Sequence, residues 1–230
     1  MDSGESSLIE TEHKYDVDAD FAFPDLAALS PGVAAAQPQT QQLAATYYDT
    51  DDLRLAGAHI TLRRRTGGSD AGWHIKLPVS TDTRRELHFP LGRATGTVPP
   101  RIAARVAEWT QGKLLRPIAR LDTSRTVRRL LDGTGQVLAE VADDRVTGSR
   151  PGPRTADGPE TADGPDTAGW QETAAWREVE VELVSGTRDL LDAAGKRLRA
   201  AGAQPSASAS KLSRLLAAGP PAAGSGSGSG

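Results

Sequence analysis

Cysteine is absent from the 230 residues. That excludes disulfides, thiolate metal sites and thiol nucleophiles, and leaves carboxylates as the metal ligands to look for. The four histidines, His13, His59, His74 and His88, fall in no HExxH-type spacing, which argues against a zinc hydrolase. No GxxxxGK[ST] stretch occurs, so a helix-capped phosphate cradle is not expected. Aromatic residues are only 4% of the chain, which keeps the core modest. No run of about 18 apolar residues suggests a membrane span, and the start MDSGESSLIE lacks the basic and apolar segments of a secretory signal; the expected location is the cytoplasm. With 27 basic and 30 acidic residues and a formal charge of -3, no overall field recruits nucleic acid or an anionic membrane. Any anion-binding region must be local.

What is present is a globular composition, 37% hydrophobic and 25% charged. We expect one domain over residues 1–217 and a flexible linker or tail over 218–230, where the chain ends GSGSGSG. Eight segments carry two-residue alternation or β-rich composition: Leu8–Asp16, Gln42–Asp49, His59–Thr66, Gly72–Pro78, Arg84–Pro90, Ile118–Leu131, Val137–Thr147 and Ala174–Val184. Helical patterns lie between them. Ile102, Val106 and Trp109 share one face after Pro99-Pro100, and Leu190, Leu191, Ala194 and Leu198 share another. Short helices are expected near Pro24–Leu29 and Ser208–Ala217. Residues 149–173, with TADGP written twice and almost no apolar content, read as an inserted low-complexity loop. The class is α+β, built on an antiparallel sheet.

The strand faces carry the information, because residues i and i+2 project to the same side. Glu10, Glu12 and Lys14 share a face; so do Arg63 and Arg65, His74 and Lys76, Arg84, Glu86 and His88, and Glu178, Glu180 and Glu182. A solvated sheet face also alternates, and for any single strand that is the plain reading. Across five strands, however, the polar face is mostly Glu, Arg and Lys, with little Ser, Thr or Gln. A closed or nearly closed eight-stranded antiparallel β-barrel explains this better, with helices packed outside and a wet, charged tunnel inside. Such an interior suits a polyanion and its metals. Arginines grip phosphoryl oxygens in pairs, lysine adds a point charge, and carboxylates hold Mg²⁺ or Mn²⁺.

The motifs then become specific. ETEHK at residues 10–14 matches an ExExK signature, followed in order by YYDTDDLRLAGAHITLRRRTGG, GWHIKLP, TRREL, TSRTVRRL, AEVADDRV, WREVEVEL and SASKLSRLL. This ordered set resembles the CYTH family, the triphosphate-tunnel metalloenzymes, over nearly the whole chain. The resemblance implies Glu10 and Glu12 as metal-binding carboxylates and Lys14 as a catalytic residue that binds triphosphate or positions water. It implies Arg63, Arg65, Lys76 and Arg125 as phosphate contacts, with Arg120, Arg128 and Arg129 near enough to replace Arg125 if a bulge changes the face. Glu86 resembles an acid that orients those bases. Asp144, Glu178 and Glu180 look like a second metal group, with Glu182 as the alternate register to Glu180; parity with Glu140 favours Asp144 over Asp143. Lys211 resembles a late helical lysine that contacts substrate and closes one mouth. Trp73 and Trp176 read as core or rim packing.

Three functions remain in view. Hydrolysis of inorganic triphosphate, or of a short triphosphate-bearing substrate, to orthophosphate leads. The same cage serves class IV adenylate cyclases and thiamine triphosphatases, but no aromatic cluster here announces a base or thiazolium pocket. A binder of triphosphate or polyphosphate without turnover is the alternative, since many such domains precede an α-helical, histidine-rich domain associated with polyphosphate. A charged sheet acting only as a scaffold is the third.

Overall fold

The computed structural model describes residues 4–27, 29, 32–92, 96–152 and 169–219. All eight expected strands are present: β1 (Ser6–Val17), β3 (Gln39–Asp49), β4 (Thr61–Thr66), β5 (Gly72–Pro78), β6 (Thr83–Phe89), β7 (Arg116–Leu131), β8 (Val137–Pro151) and β9 (Trp170–Leu183). Two short strands join them, β2 (Ala34–Ala35) and β10 (Gln204–Pro205). Every pairing is antiparallel, in the order β1-β6-β5-β4-β3-β7-β8-β9, and β9 pairs back onto β1. The sheet is therefore a closed barrel. β1 closes it by dividing its length: residues 6–11 pair with β6, and residues 12–17 pair with β9.

Two apolar clusters cover the outside. Tyr15, Val141, Val179 and Val181 meet Leu190, Leu191, Ala194 and Leu198 of helix α4 (Arg188–Ala200), so the helical periodicity at 190–198 buries the face it announces. Opposite, Tyr48, Leu62, Trp73, Ile75 and Phe89 meet Leu55 of α1 (Arg54–Gly57), Ile102 and Val106. The helix expected at 102–109 is interrupted. It forms α2 (Pro100–Ala103), a 3₁₀ turn (Ala104–Val106) and α3 (Ala107–Thr110), ended by left-handed Gln111. No helix forms over the described residues of 24–29. Asp25 instead accepts from the Ala27 N–H at 2.8 Å, an Asx turn that competes with helix, while Leu26 packs on the outer sheet.

The third cluster lies inside. Ala45, Tyr47, Ala119, Leu121 and Val146 sit on the inner faces of β3, β7 and β8, and Leu212 and Leu215 of α5 (Lys211–Ala217) pack among them. Helix α5 thus plugs one end of the barrel with apolar side chains, whereas α2, α3 and α4 lie outside. Its start is fixed by a reciprocal cap: Ser210 Oγ accepts from the Ser213 N–H, and Ser213 Oγ accepts from the Ser210 N–H, each at 3.0 Å.

The β8–β9 ladder reaches Pro151 and Trp170, so both ends of the segment expected as a loop over 149–173 are paired strand. Both copies of TADGP fall in residues 153–168, outside the described residues. At the β4–β5 turn, Gly67 has φ +78°, and a Cβ there would lie 2.1 Å from the Gln42 carbonyl oxygen. Gly67→Ala is expected to cost about 1–3 kcal/mol in urea unfolding; a loss under about 0.5 kcal/mol would contradict this packing.

Candidate active site

The inner face gathers the charged residues that alternation set aside. A cavity of about 590 Å³ is lined by Glu10, Glu12, Lys14, Arg63, Arg65, Lys76, Glu86, Arg125, Glu180, Glu182 and Lys211, among others. Register explains the meeting. Arg125 is the Cα partner of Asp144, Asp144 of Glu178, and Lys14 of Glu180. The antiparallel ladder places these side chains side by side on the concave surface.

One acidic group is compact. Single carboxylate oxygens of Asp144, Glu178 and Glu180 all lie within 4.8 Å of one another, and all three residues are buried. Arg125 holds Asp144 through two bonds, Nε–Oδ1 at 2.8 Å and Nη2–Oδ2 at 2.6 Å, and reaches Glu180 Oε2 at 2.7 Å. Burial opposes charge on Asp144, yet Lys211 and Arg125 outweigh it and keep the carboxyl below its usual range. Glu180 lies well below its range, because Lys14, Lys211 and Arg125 together overcome its burial. Asp143 points the other way and pairs with Arg177 at 2.8 and 2.9 Å, as the parity with Glu140 predicted. Three converging anionic oxygens are the donor set a hard divalent cation takes.

The other acids are more dispersed. Glu12 lies 2.9 Å from Lys14 Nζ, and Lys14 also bonds Glu180. Burial would lower the Lys14 pKa, but Glu180 and Glu12 hold it above the usual lysine value; Lys14 is a cation that donates and does not accept a proton. Glu10 meets Lys76 at 2.5 Å. Its carboxyl is pushed up to about 8, first by burial and then by its hydrogen bond with Glu86. Glu10 thus stands apart from the Asp144 group and shares its surroundings with Glu86 and Glu182. Glu182 is likewise raised, chiefly by burial.

Opposite lies a basic wall. Glu86 sits 3.6 Å from Arg63 and 3.7 Å from Lys76. Arg65 contacts half-exposed Asp70. Burial, with Arg63 and Arg125 adding like charge, pushes the Arg65 pKa down to about 9. Arginine keeps its proton in proteins, so Arg65 remains a buried cation. Moreover, Arg63 Nε and Arg65 Nε are buried without a hydrogen-bond partner among the described residues.

Several residues here were not singled out from the sequence. Tyr47, the Cα partner of Arg63, brings its hydroxyl to 3.5 Å from that guanidinium; the Tyr47-Tyr48 doublet hides which ring faces inward. His74 Nδ1 lies 2.5 Å from Glu86 and Nε2 2.9 Å from the Asp70 carbonyl. Both neighbours are acceptors, whereas burial, with Arg63 and Arg65, pushes the imidazole down to about 4; a neutral ring donating Nδ1–H to Glu86 serves the charged partner. The DT of YYDT is structural. Asp49 accepts from the Thr50, Leu55 and Ala56 N–H groups at 2.7–2.9 Å and organises α1. Trp73 is wholly buried core, while Trp176 donates from Nε1 to Glu178 Oε2 at 2.6 Å. Arg120, Arg128 and Arg129 do not displace Arg125 at the triad. Lys211 is not on the basic wall; its amine lies 2.8 Å from Asp144, 2.7 Å from Glu178 and 2.8 Å from Glu180.

The CYTH domain profile matches residues 8–216. Uncharacterized proteins from two strains of Mycobacterium tuberculosis are 40% identical over 214 residues, covering 91% of this chain. The chain spans about 40% of the length of those relatives. Among solved structures, an adenylate cyclase-like protein from Bacillus halodurans superposes with a TM-score of 0.56 at 15% identity, over 92% of this chain and 98% of that one. An adenylyl cyclase-like protein from Hippeastrum with a dominant triphosphatase activity superposes at 0.52 and 14% identity, over 91% and 95% of the two chains. At these identities the superpositions establish the fold. No helix among the described residues is long and apolar enough to cross a membrane.

Proposed function

The chain belongs to the CYTH domain family, and we propose that it hydrolyses inorganic triphosphate, or a short triphosphate-bearing substrate, to orthophosphate with Mg²⁺ or Mn²⁺. Family members act on triphosphates and depend on divalent metals. The observation that carries the reading is a converging carboxylate triad and a basic wall on the inner face of one barrel, with Glu180, Arg63 and Arg65 lining the cavity. Arg63 and Arg65 present buried, unpartnered guanidinium nitrogens, and the Asp144, Glu178 and Glu180 carboxylates converge a few ångströms from Arg125.

In this reading Arg63, Arg65 and Lys76 receive phosphoryl oxygens, and Glu86 holds Arg63 and Lys76 in place. Asp144, Glu178 and Glu180 would hold a divalent ion, with Glu12 adjoining through Lys14 and Glu10 completing the acidic side. A bound ion supplies Lewis-acid polarisation of phosphoryl oxygens and lowers the pKa of a bound water. Lys14, a fixed ammonium between Glu12 and Glu180, donates to substrate or to the attacking water. Positioning and charge neutralisation are most of what phosphoryl transfer requires from a protein.

Apart from the imidazoles, Tyr47 is the one aromatic side chain among the described residues lining the cavity, which favours an inorganic triphosphate over a nucleotide held by stacking. The test is product analysis with inorganic triphosphate, ATP and thiamine triphosphate. Orthophosphate from inorganic triphosphate at the highest kcat/KM, with no cyclic nucleotide from ATP, is the expected result. Tight binding without release from any of them would leave a polyphosphate binder. Arg63→Ala is expected to raise KM about ten- to hundredfold through lost charge-assisted bonds; an unchanged KM would remove Arg63 from the substrate.

A further inference from the structure

In the arrangement seen, Lys211 faces carboxylates and not the basic wall. An ammonium has three N–H donors and no acceptor, and Nζ lies within 2.7–2.8 Å of three separate carboxylates, on Asp144, Glu178 and Glu180. The ammonium is hydrogen-bonded to Glu180 Oε1 and stands at ion-pair distance from the other two members of the set that converges as metal ligands. The position is built in. Ser210 caps the helix at Lys211, and Leu212 and Leu215 anchor the same turn in the apolar plug. Other cations approach parts of the group: Arg125 contacts Asp144 and Glu180, and Lys14 contacts Glu180. Among these contacts only Lys211 bridges all three.

We propose that Lys211 is the internal counter-cation of the metal site, its ammonium and a divalent ion occupying the carboxylate triad in alternation. This rests on the metal reading of the triad given above. Three buried carboxylates without a cation would repel one another strongly, and the ammonium, together with Arg125 and Lys14, offsets that charge in the metal-free chain. Loading the ion displaces the ammonium with its proton, so no proton is exchanged, and a cation held by α5 becomes free for the polyphosphate. Lys211 is thus available to substrate only after the metal is in place. Metal affinity is lowered by the ammonium it must displace, and the two binding events are coupled through one side chain.

The experiment is Mn²⁺ binding to the full chain without substrate, followed by the electron paramagnetic resonance signal of free Mn²⁺, for wild type, Lys211→Met, Lys211→Arg and Asp144→Asn. Lys211→Met is expected to bind Mn²⁺ about tenfold more tightly than wild type, within the range usual for coupled sites. Lys211→Arg, which keeps a cation there, gains nothing, and Asp144→Asn loses binding. Equal affinities for wild type and Lys211→Met, with Asp144→Asn impaired, would overturn the counter-cation and leave the metal site standing. No Mn²⁺ binding by either protein would overturn both. A lysine-selective nitrogen-15 spectrum of wild type tests the same exchange without a substitution. The Lys211 ammonium resonance shifts when Mg²⁺ is added; an unmoved resonance with Mg²⁺ bound contradicts displacement.

Discussion

Asp144→Asn is expected to lower turnover of inorganic triphosphate by about a thousandfold, the scale on which loss of a metal-holding or charge-stabilising group acts. Asp144 is wholly buried, pairs with Arg125 through both oxygens and faces Glu178 and Glu180. Asparagine keeps the volume and one acceptor oxygen but removes the charge, so the loss falls on what the triad can hold. Arg63, Arg65 and Lys76, the proposed anion contacts, stand on other strands and are left intact. Substrate affinity should therefore change far less than kcat. Breaking a buried ion pair also costs stability, about 3–5 kcal/mol when one partner is left unmatched, so the assay belongs below the melting temperature measured for the variant. Turnover equal to wild type would remove Asp144 from the chemistry.

A large effect on stability is also expected at the outer face. Trp73 is 0% exposed and packs on Tyr48 with ring centroids 5.2 Å apart, within the cluster that includes Ile102 and Val106. Trp73→Ala should cost about 3–5 kcal/mol in urea unfolding, from lost transfer energy and the cavity left behind. Trp73→Phe is the internal control. The indole Nε1 has no hydrogen-bond partner among the described residues, so phenylalanine sacrifices volume and no hydrogen bond, and its loss should be clearly smaller, about 1–2 kcal/mol. Equal losses would mean that the cluster is held by something other than packing around this ring.

The strands were legible because each repeats a sharp contrast. In β5, His74 and Lys76 face inward while Trp73, Ile75 and Leu77 face the helices, and a period of two exposes that division in seven residues. Asp144 was separable from Asp143 for the same reason. Helix α4 announced itself by Leu190, Leu191, Ala194 and Leu198. The apolar plug was not legible. Leu121 and Val146 share faces with Arg125 and Asp144 of the same strands, so the inner surface changes from polar to apolar midway, and strand alternation carries no signal of depth along a barrel. Nor does sequence spacing reveal that Lys211, far from Asp144 in the chain, lands among the carboxylates and not on the basic wall; that follows from how α5 seats Leu212 and Leu215. Gln111 at φ 51° ends α3, a left-handed residue that periodicity does not anticipate.

The central claim is that the tunnel hydrolyses triphosphate with a divalent ion held by carboxylates. Its most direct test is orthophosphate release from inorganic triphosphate by chain stripped with EDTA, before and after Mg²⁺ or Mn²⁺ is restored. The account predicts no turnover in the stripped protein and full recovery with the metal. Turnover that persists in EDTA, or none under any metal while triphosphate still binds, would contradict it.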